Sequence, residues 1–148
     1  MIKVGAIIFS RMQSQRLPGK AMINISGKLL IERVIERTQK IKLIDHICLA
    51  TSNLKNDDII NNYAISKGLD TFRGDQNDVV LRAFSAGSLY NYDCFVRICG
   101  DRPFFDGKIV DEIRRNSDWR ENVDAIAAIL DKMETKDFRL VAVDEDCI

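Results

Sequence analysis

The chain has 148 residues, 46% of them hydrophobic and 30% charged, with 22 Lys and Arg against 22 Asp and Glu. That length holds one compact core, and the composition is globular rather than disordered. A net charge of zero excludes a global pull toward nucleic acid or an anionic membrane, and no apolar run approaches the roughly 20 residues that membrane insertion needs.

The elements follow in chain order. Val4–Phe9 is a short apolar, β-branched run and predicts a buried strand. Residues 10–27 form a long loop punctuated by Pro18-Gly19 and Ser26-Gly27. Leu30, Ile31, Val34, Ile35, Thr38 and Ile41 recur at helical spacing, with Glu32, Arg33, Glu36 and Arg37 on the other face. His46–Ser52 predicts a second strand. Asp57-Asp58 suits the start of a helix over 59–67, and Gly68 its end. Residues 70–72 read as a short strand leading into a loop over 73–78, residues 78–89 as a helix and Cys94–Cys99 as another buried strand. A turn-rich loop over 100–107 precedes a helix over 108–116, and 123–130 and 138–143 are the last strand candidates. Strands alternating with helices predict an α/β domain with a mostly parallel sheet and helices on both faces. Ligands of such sheets bind beyond the carboxyl ends of the strands, so the loops at 10–20, 52–55, 73–78 and 100–106 are the places to search.

The zero net charge hides an asymmetry. Lys3, Arg11, Arg16, Lys20 and Lys28 precede the first acidic residue, Glu32, so the first 31 residues carry +5 and the remainder −5. The block begins in a strand and contains a Leu-Pro-Gly turn, which favours an anion-binding loop over a flexible basic arm. Three of the cations fall in the segment Ser10-Arg11-Met12-Gln13-Ser14-Gln15-Arg16-Leu17-Pro18-Gly19-Lys20. Guanidinium forks and backbone N–H groups there suit a polyphosphate. The loop lacks both GxxxxGK[ST] and GxGxxG, so neither a P-loop nor a dinucleotide site follows. Asp101, at the carboxyl end of a strand, can hold Mg²⁺ against phosphate oxygens or accept turn hydrogen bonds beside Pro103. Thr51 and Ser52 can face a base or simply cap a turn. Asp78 and Arg82 can pair at i,i+4. His46 reads as structural or as a surface residue. Cys48, Cys94, Cys99 and Cys147 have neither metal-ligand nor CxxC spacing, and no apolar leader precedes the first strand; the expectation is reduced thiols in a cytoplasmic protein.

From Ala6 to Lys20 the sequence resembles the N-terminal signature Ala-Arg-x-x-Ser-x-Arg-Leu-Pro-Gly-Lys of the cytidylyltransferase family, with Ser10 in place of the usual Ala. That family includes CMP-sialate and CMP-3-deoxy-manno-octulosonate synthetases and the spore coat polysaccharide biosynthesis protein F group. Gly27-Lys28-Leu29-Leu30-Ile31, Ala50-Thr51-Ser52, Asp57-Asp58 and Phe72-Arg73-Gly74-Asp75 match in order. Asp78-Val79-Val80-Leu81-Arg82 and Val96-Arg97-Ile98-Cys99-Gly100-Asp101-Arg102-Pro103 follow and are most similar to the spore coat group. The resemblance covers roughly the first 115 residues, and its motifs are specific jointly rather than singly.

The resemblance implies a nucleotide-diphospho-sugar transferase type of Rossmann-like fold. It implies that a sugar hydroxyl attacks the α-phosphate of CTP, releasing pyrophosphate, with Mg²⁺ neutralising the phosphates. Arg11, Arg16 and Lys20 would bind the triphosphate, and Asp101 would be the metal position, so Arg11, Lys20 and Asp101 are the catalytic candidates. Ser52, Arg73 and Gly74 join Arg11, Arg16 and Lys20 as nucleotide-binding candidates. CTP and a sugar or sugar acid for cell-surface polysaccharide are the implied partners, without nucleic acid or membrane insertion, and a homodimer is compatible. Residues 1–148 are expected to form a single nucleotidyltransferase-like domain that is C-terminally short, holding the nucleotide half and little of the half that carries sugar-binding and dimer contacts. Asp144 and Asp146 read as an acidic tail rather than a second metal ligand. The alternative is an inactive nucleotide-binding remnant serving as an interaction module.

Overall fold

The computed structural model describes residues 2–116 and 139–141. Five strands form one parallel sheet in the order β5-β4-β1-β6-β7. These are β1 (Val4–Phe9), β4 (His46–Ser52), β5 (Asp70–Gly74), β6 (Cys94–Cys99) and β7 (Arg139–Val141). The first strand is central, with β4 on one side in the register Gly5↔His46 to Phe9↔Ala50 and β6 on the other in the register Val4↔Cys94 to Phe9↔Cys99. All six of its residues are buried, which is why it reads as a continuous apolar run rather than an alternating one.

Strand alternation sorts the core into two layers. Ala6, Ile8, Leu49, Val96 and Ile98 face one way. They meet Ile31, Val34 and Ile35 of α1 (Leu30–Thr38), Ile60 and Ala64 of α2 (Asp58–Ser66) and Val110 of α4 (Gly107–Arg115). Ile7, Phe9, Cys48, Ala50 and Phe95 face the other way, under Val79, Ala83 and Ala86 of α3 (Val79–Leu89). Helices therefore cover both faces, as the alternation of elements predicts. Burying one such Ile or Phe is worth about 1.5–3 kcal/mol, so the two layers hold the strand order.

Several differences from the sequence reading have local causes. The loop over 10–27 contains a 3₁₀ turn (Lys20–Met22) and half of a hairpin, β2 (Asn24–Ile25) pairing antiparallel with β3 (Lys28–Leu29). Ser26 and Gly27, at φ 50° and 85°, supply the left-handed pair that closes a two-residue hairpin. The first helix stops at Thr38, whose hydroxyl donates to the Val34 carbonyl at 2.8 Å, although Ile41 beyond it is still buried. The third long strand does not end at Phe72: Thr51↔Arg73 and Ser52↔Gly74 continue the pairing, so Arg73 and Gly74 are strand residues. Asp78 is the cap of α3, not its first turn. Of the last two strand candidates, 123–130 lies outside the described residues, and 139–141 pairs parallel with β6. No described helix is long and apolar enough to cross a membrane.

Candidate active site

The chain runs outward from β1 to β5 on one side, then returns to β6 on the other, which makes the carboxyl ends of β1 and β6 the topological switch point. A cleft of about 470 Å³ opens there. Its charged lining is Arg11, Arg16, Lys20, Arg82, Arg97 and Asp101. Five cations against one carboxylate make it a site for a polyanion.

Backbone contacts hold the two strand ends together. The Gly100 N–H donates to the Phe9 carbonyl at 2.8 Å, prolonging the β1–β6 pairing by one step. A Cβ at Gly100 would lie 2.7 Å from that oxygen and 2.7 Å from the Ser10 Cβ, so only glycine lets the two loops leave the sheet this close. The first loop folds back on itself through Gly19 N–H and Ser14 N–H to the Met12 carbonyl, at 2.8 and 3.1 Å.

Asp57 fastens this loop to its neighbour. It is 2% exposed, and its carboxylate accepts from the Met12 N–H at 2.6 Å, from the Ser52 N–H at 3.2 Å and from the Ser52 hydroxyl. The loop after β5 closes the other flank. Arg11 donates to the Gln76 carbonyl at 3.3 Å, and the Gln76 amide bonds the Gln13 side chain. The Asp75 carboxylate accepts from Asn77 and Asp78 N–H groups at 2.7 and 2.8 Å, and those bonds hold its pKa below the ordinary value.

The sequence-derived candidates divide in two. Arg11, Arg16, Lys20 and Asp101 come together in the cleft. Lys20 and Asp101 also form an ion pair with each other, a contact between two loops that the sequence reading treats separately. Ser52, Arg73 and Gly74 lie apart from that lining. The Ser52 hydroxyl is spent on Asp57. Arg73 clamps the turn after β4, donating to the Ser52 carbonyl at 3.0 Å, the Leu54 carbonyl at 2.7 Å and the Asp58 carboxylate at 2.6 Å. Asp78 caps the Leu81 N–H at 2.7 Å, while Arg82 bonds the Asp75 and Gln76 carbonyls at 2.7 and 3.4 Å, in place of the suggested i,i+4 pair. His46 is structural, held between Asp70 at 2.9 Å and the Tyr92 hydroxyl at the opposite ends of the strands from the cleft.

Asp57 and Arg97 stand inside the motifs that match the family, and the sequence assigns neither a role in the site; Arg97 carries a further signal, a cation in the middle of an otherwise apolar strand. Among the described residues no cluster of three or more His, Cys, Asp or Glu is present, so Asp101 is the carboxylate that the cleft offers a cation.

The fold and the cleft define a parallel α/β protein with a cation-lined opening at the switch point of its sheet. The family model for cytidylyltransferases matches residues 5–146, and the chain belongs to that family. It is 30% identical over 109 residues to the spore coat polysaccharide biosynthesis protein SpsF of Bacillus subtilis, covering 71% of this chain and 45% of that one. It is 33% identical over 118 residues to a 3-deoxy-manno-octulosonate cytidylyltransferase of Pelobacter propionicus, covering 77% and 44%. The structure of a cytidylyltransferase from Leptospira borgpetersenii superposes with a TM-score of 0.74 at 34% identity, covering 78% of this chain and 48% of that one. The chain thus spans about half the length of these relatives.

Proposed function

We propose that this chain is the nucleotide-binding part of an enzyme that transfers CMP from CTP to the hydroxyl of a sugar acid for a surface polysaccharide. The observation that carries the reading is the convergence of Arg11, Arg16, Lys20 and Asp101 at the switch-point cleft of a cytidylyltransferase fold. The acceptor class draws its support from the octulosonate-specific relative and the polysaccharide role from the spore coat relative. Residues 1–148 act as one domain in this reading. It works in the cytoplasm, where Cys48, Cys94 and Cys99 remain outside disulfides and burial pushes the Cys48 thiol up to about 12.

In the reaction, the acceptor oxygen forms a bond to the α-phosphorus, the bond from that phosphorus to the β-phosphate bridging oxygen breaks, and the hydroxyl proton passes to solvent. Arg11 and Arg16 orient the triphosphate through guanidinium forks. Lys20 leaves Asp101 for the phosphate oxygens and neutralises charge growing on the departing pyrophosphate. Asp101 then has a free carboxylate for Mg²⁺. The donor set fits, because Mg²⁺ usually takes one or two carboxylates and completes its shell with phosphate oxygens and water. When bound there, Mg²⁺ supplies Lewis-acid stabilisation of the phosphate charge. Phe9 and Val79 give the cleft an apolar stretch of wall beside its charged groups.

CTP with Mg²⁺ is expected to raise the melting temperature more than ATP or GTP does, by linkage of binding to folding. Release of pyrophosphate with eight- or nine-carbon sugar acids then tests the acceptor. A chain that no nucleotide stabilises overturns the reading.

A further inference from the structure

We propose that Arg82 of α3 is a positioning residue for Arg11, acting through the Gln76 carbonyl that both guanidiniums share. The proposal deepens the cytidylyl-transfer reading and rests on it for the identity of the ligand. Arg82 Nη1 donates to the Asp75 carbonyl at 2.7 Å and to the Gln76 carbonyl at 3.4 Å. Arg11 Nη1 donates to the same Gln76 oxygen at 3.3 Å, and the Gln76 side-chain amide bonds Gln13 of the first loop. A carbonyl oxygen carries two lone pairs, so one acceptor serves both donors.

The two arginines differ in what holds them. Arg11 is exposed, and among the described residues the Gln76 carbonyl is its hydrogen-bond acceptor. A long side chain held at one point is fixed against its own rotamer entropy, so the place of that point matters. Arg82 borders the cleft but is 3% exposed, and its hydrogen bonds are spent on the loop after β5. Its Cζ lies 5.8 Å from the Phe9 ring centroid, a cation–π contact with the end of β1. A Cβ at Gly74 would lie 3.1 Å from Arg82 Cγ and 2.8 Å from the Phe72 ring, so glycine lets the end of β5 rest against the arginine stem. α3 itself is packed on the sheet through Val79, Ala83 and Ala86. Arg82 therefore ties the loop at 75–76 to β1 and α3, and the loop passes that placement on to Arg11.

Electrostatics agrees with this division of labour. Burial, then the neighbouring Arg11 charge, lower the Arg82 pKa. Two like charges this close drift apart unless a shared acceptor offsets their repulsion, and the Gln76 oxygen is that acceptor. With its guanidinium already placed on the cleft wall, Arg11 loses less side-chain entropy when a triphosphate binds.

The experiment is a double-mutant cycle on Arg82→Lys and Arg11→Ala, read by calorimetric titration with CTP and with inorganic triphosphate. Arg82→Lys keeps the charge and gives up the reach of the guanidinium. Arg82→Met, which keeps the stem without the charge, runs the same cycle if Arg82→Lys does not fold, and urea unfolding establishes the folded state of each variant. The expected loss of affinity on changing Arg82 is at least about threefold larger with Arg11 present than in the Arg11→Ala background, the coupling of residues that share one acceptor. Losses that agree within about threefold between the two backgrounds overturn the proposal, because Arg82 then acts on the ligand or on the whole fold rather than through Arg11. A wild type that binds inorganic triphosphate with this coupling, and CTP no better, keeps the positioning role and removes the cytidylyl-transfer reading. A wild type that binds neither probe overturns both.

Discussion

Lys20 and Asp101, 81 residues apart in the chain, form an ion pair between the loops after β1 and β6. Their side chains are 30% and 41% exposed, so the pair is a solvent-screened one worth about 0–1 kcal/mol. Under the proposed function a triphosphate would outcompete so weak a contact readily, and the pair would be a resting arrangement for two binding groups rather than a structural bond. His46 is the opposite case, held between Asp70 and Tyr92 and beside the Tyr90 ring at 4.8 Å.

The first prediction sets these two against each other. Lys20→Ala weakens CTP binding about tenfold or more, the worth of one charge-assisted phosphate contact, and changes stability by less than about 1 kcal/mol. His46→Ala lowers stability by about 1–3 kcal/mol and leaves CTP affinity unchanged. Calorimetry and urea unfolding measure the two effects; equal losses of affinity in both variants refute the site.

Asp101→Asn separates metal from phosphate. Without a divalent cation the variant binds CTP as tightly as wild type or more tightly, because a negative charge beside the phosphates is gone. The gain in affinity that Mg²⁺ confers on wild type disappears. Titrations with and without Mg²⁺ measure the difference, and an undiminished gain would show that the metal is held elsewhere.

Asp57→Ala strands the Met12 and Ser52 N–H groups and the Ser52 hydroxyl in a buried place. The expected cost is about 3 kcal/mol in urea unfolding. Because the Met12 bond anchors the first loop, CTP affinity falls as well, although Asp57 is absent from the cleft lining. Asp57→Asn retains an acceptor oxygen and recovers part of both. A folded Asp57→Ala with wild-type affinity would detach the anchor from ligand binding.

Acid stability reports a contact between α1 and the end of α2. Lys67 donates to Glu32 at 2.7 Å and, with Tyr63, lowers the Glu32 carboxyl from an ordinary 4.5 to about 2. The folded state therefore binds this proton less readily than the unfolded state. The stabilisation is complete above about pH 4.5 and is lost as the pH falls toward 2. Glu32→Gln should melt lower than wild type at pH 7, and the two curves should meet near pH 2. Parallel curves across that window would assign the effect to packing.

The carboxyl ends of β1 and β6 show how far local pattern reaches. The strand at Val4–Phe9, the cations at 11, 16 and 20 and the carboxylate at 101 are legible because apolar runs and turn residues report where strands end, and parallel sheets bind at those ends. Arg73 shows the limit. The motif around it points to the nucleotide, yet its guanidinium goes to the Ser52 and Leu54 carbonyls and Asp58, because β5 pairs with β4 through Gly74.

By itself the sequence determined the parallel α/β class, the alternation of elements and the cationic character of the first loop, since each is set by neighbours within a few turns of chain. The tertiary structure decided that Lys20 rests on Asp101, that Asp57 holds Met12, and that Arg82 and Arg97 share Phe9. Each of these contacts depends on the strand order β5-β4-β1-β6-β7. Hydrophobic periodicity records which face of an element is buried, and the strand that lies beside it is chosen only when the whole sheet closes its core.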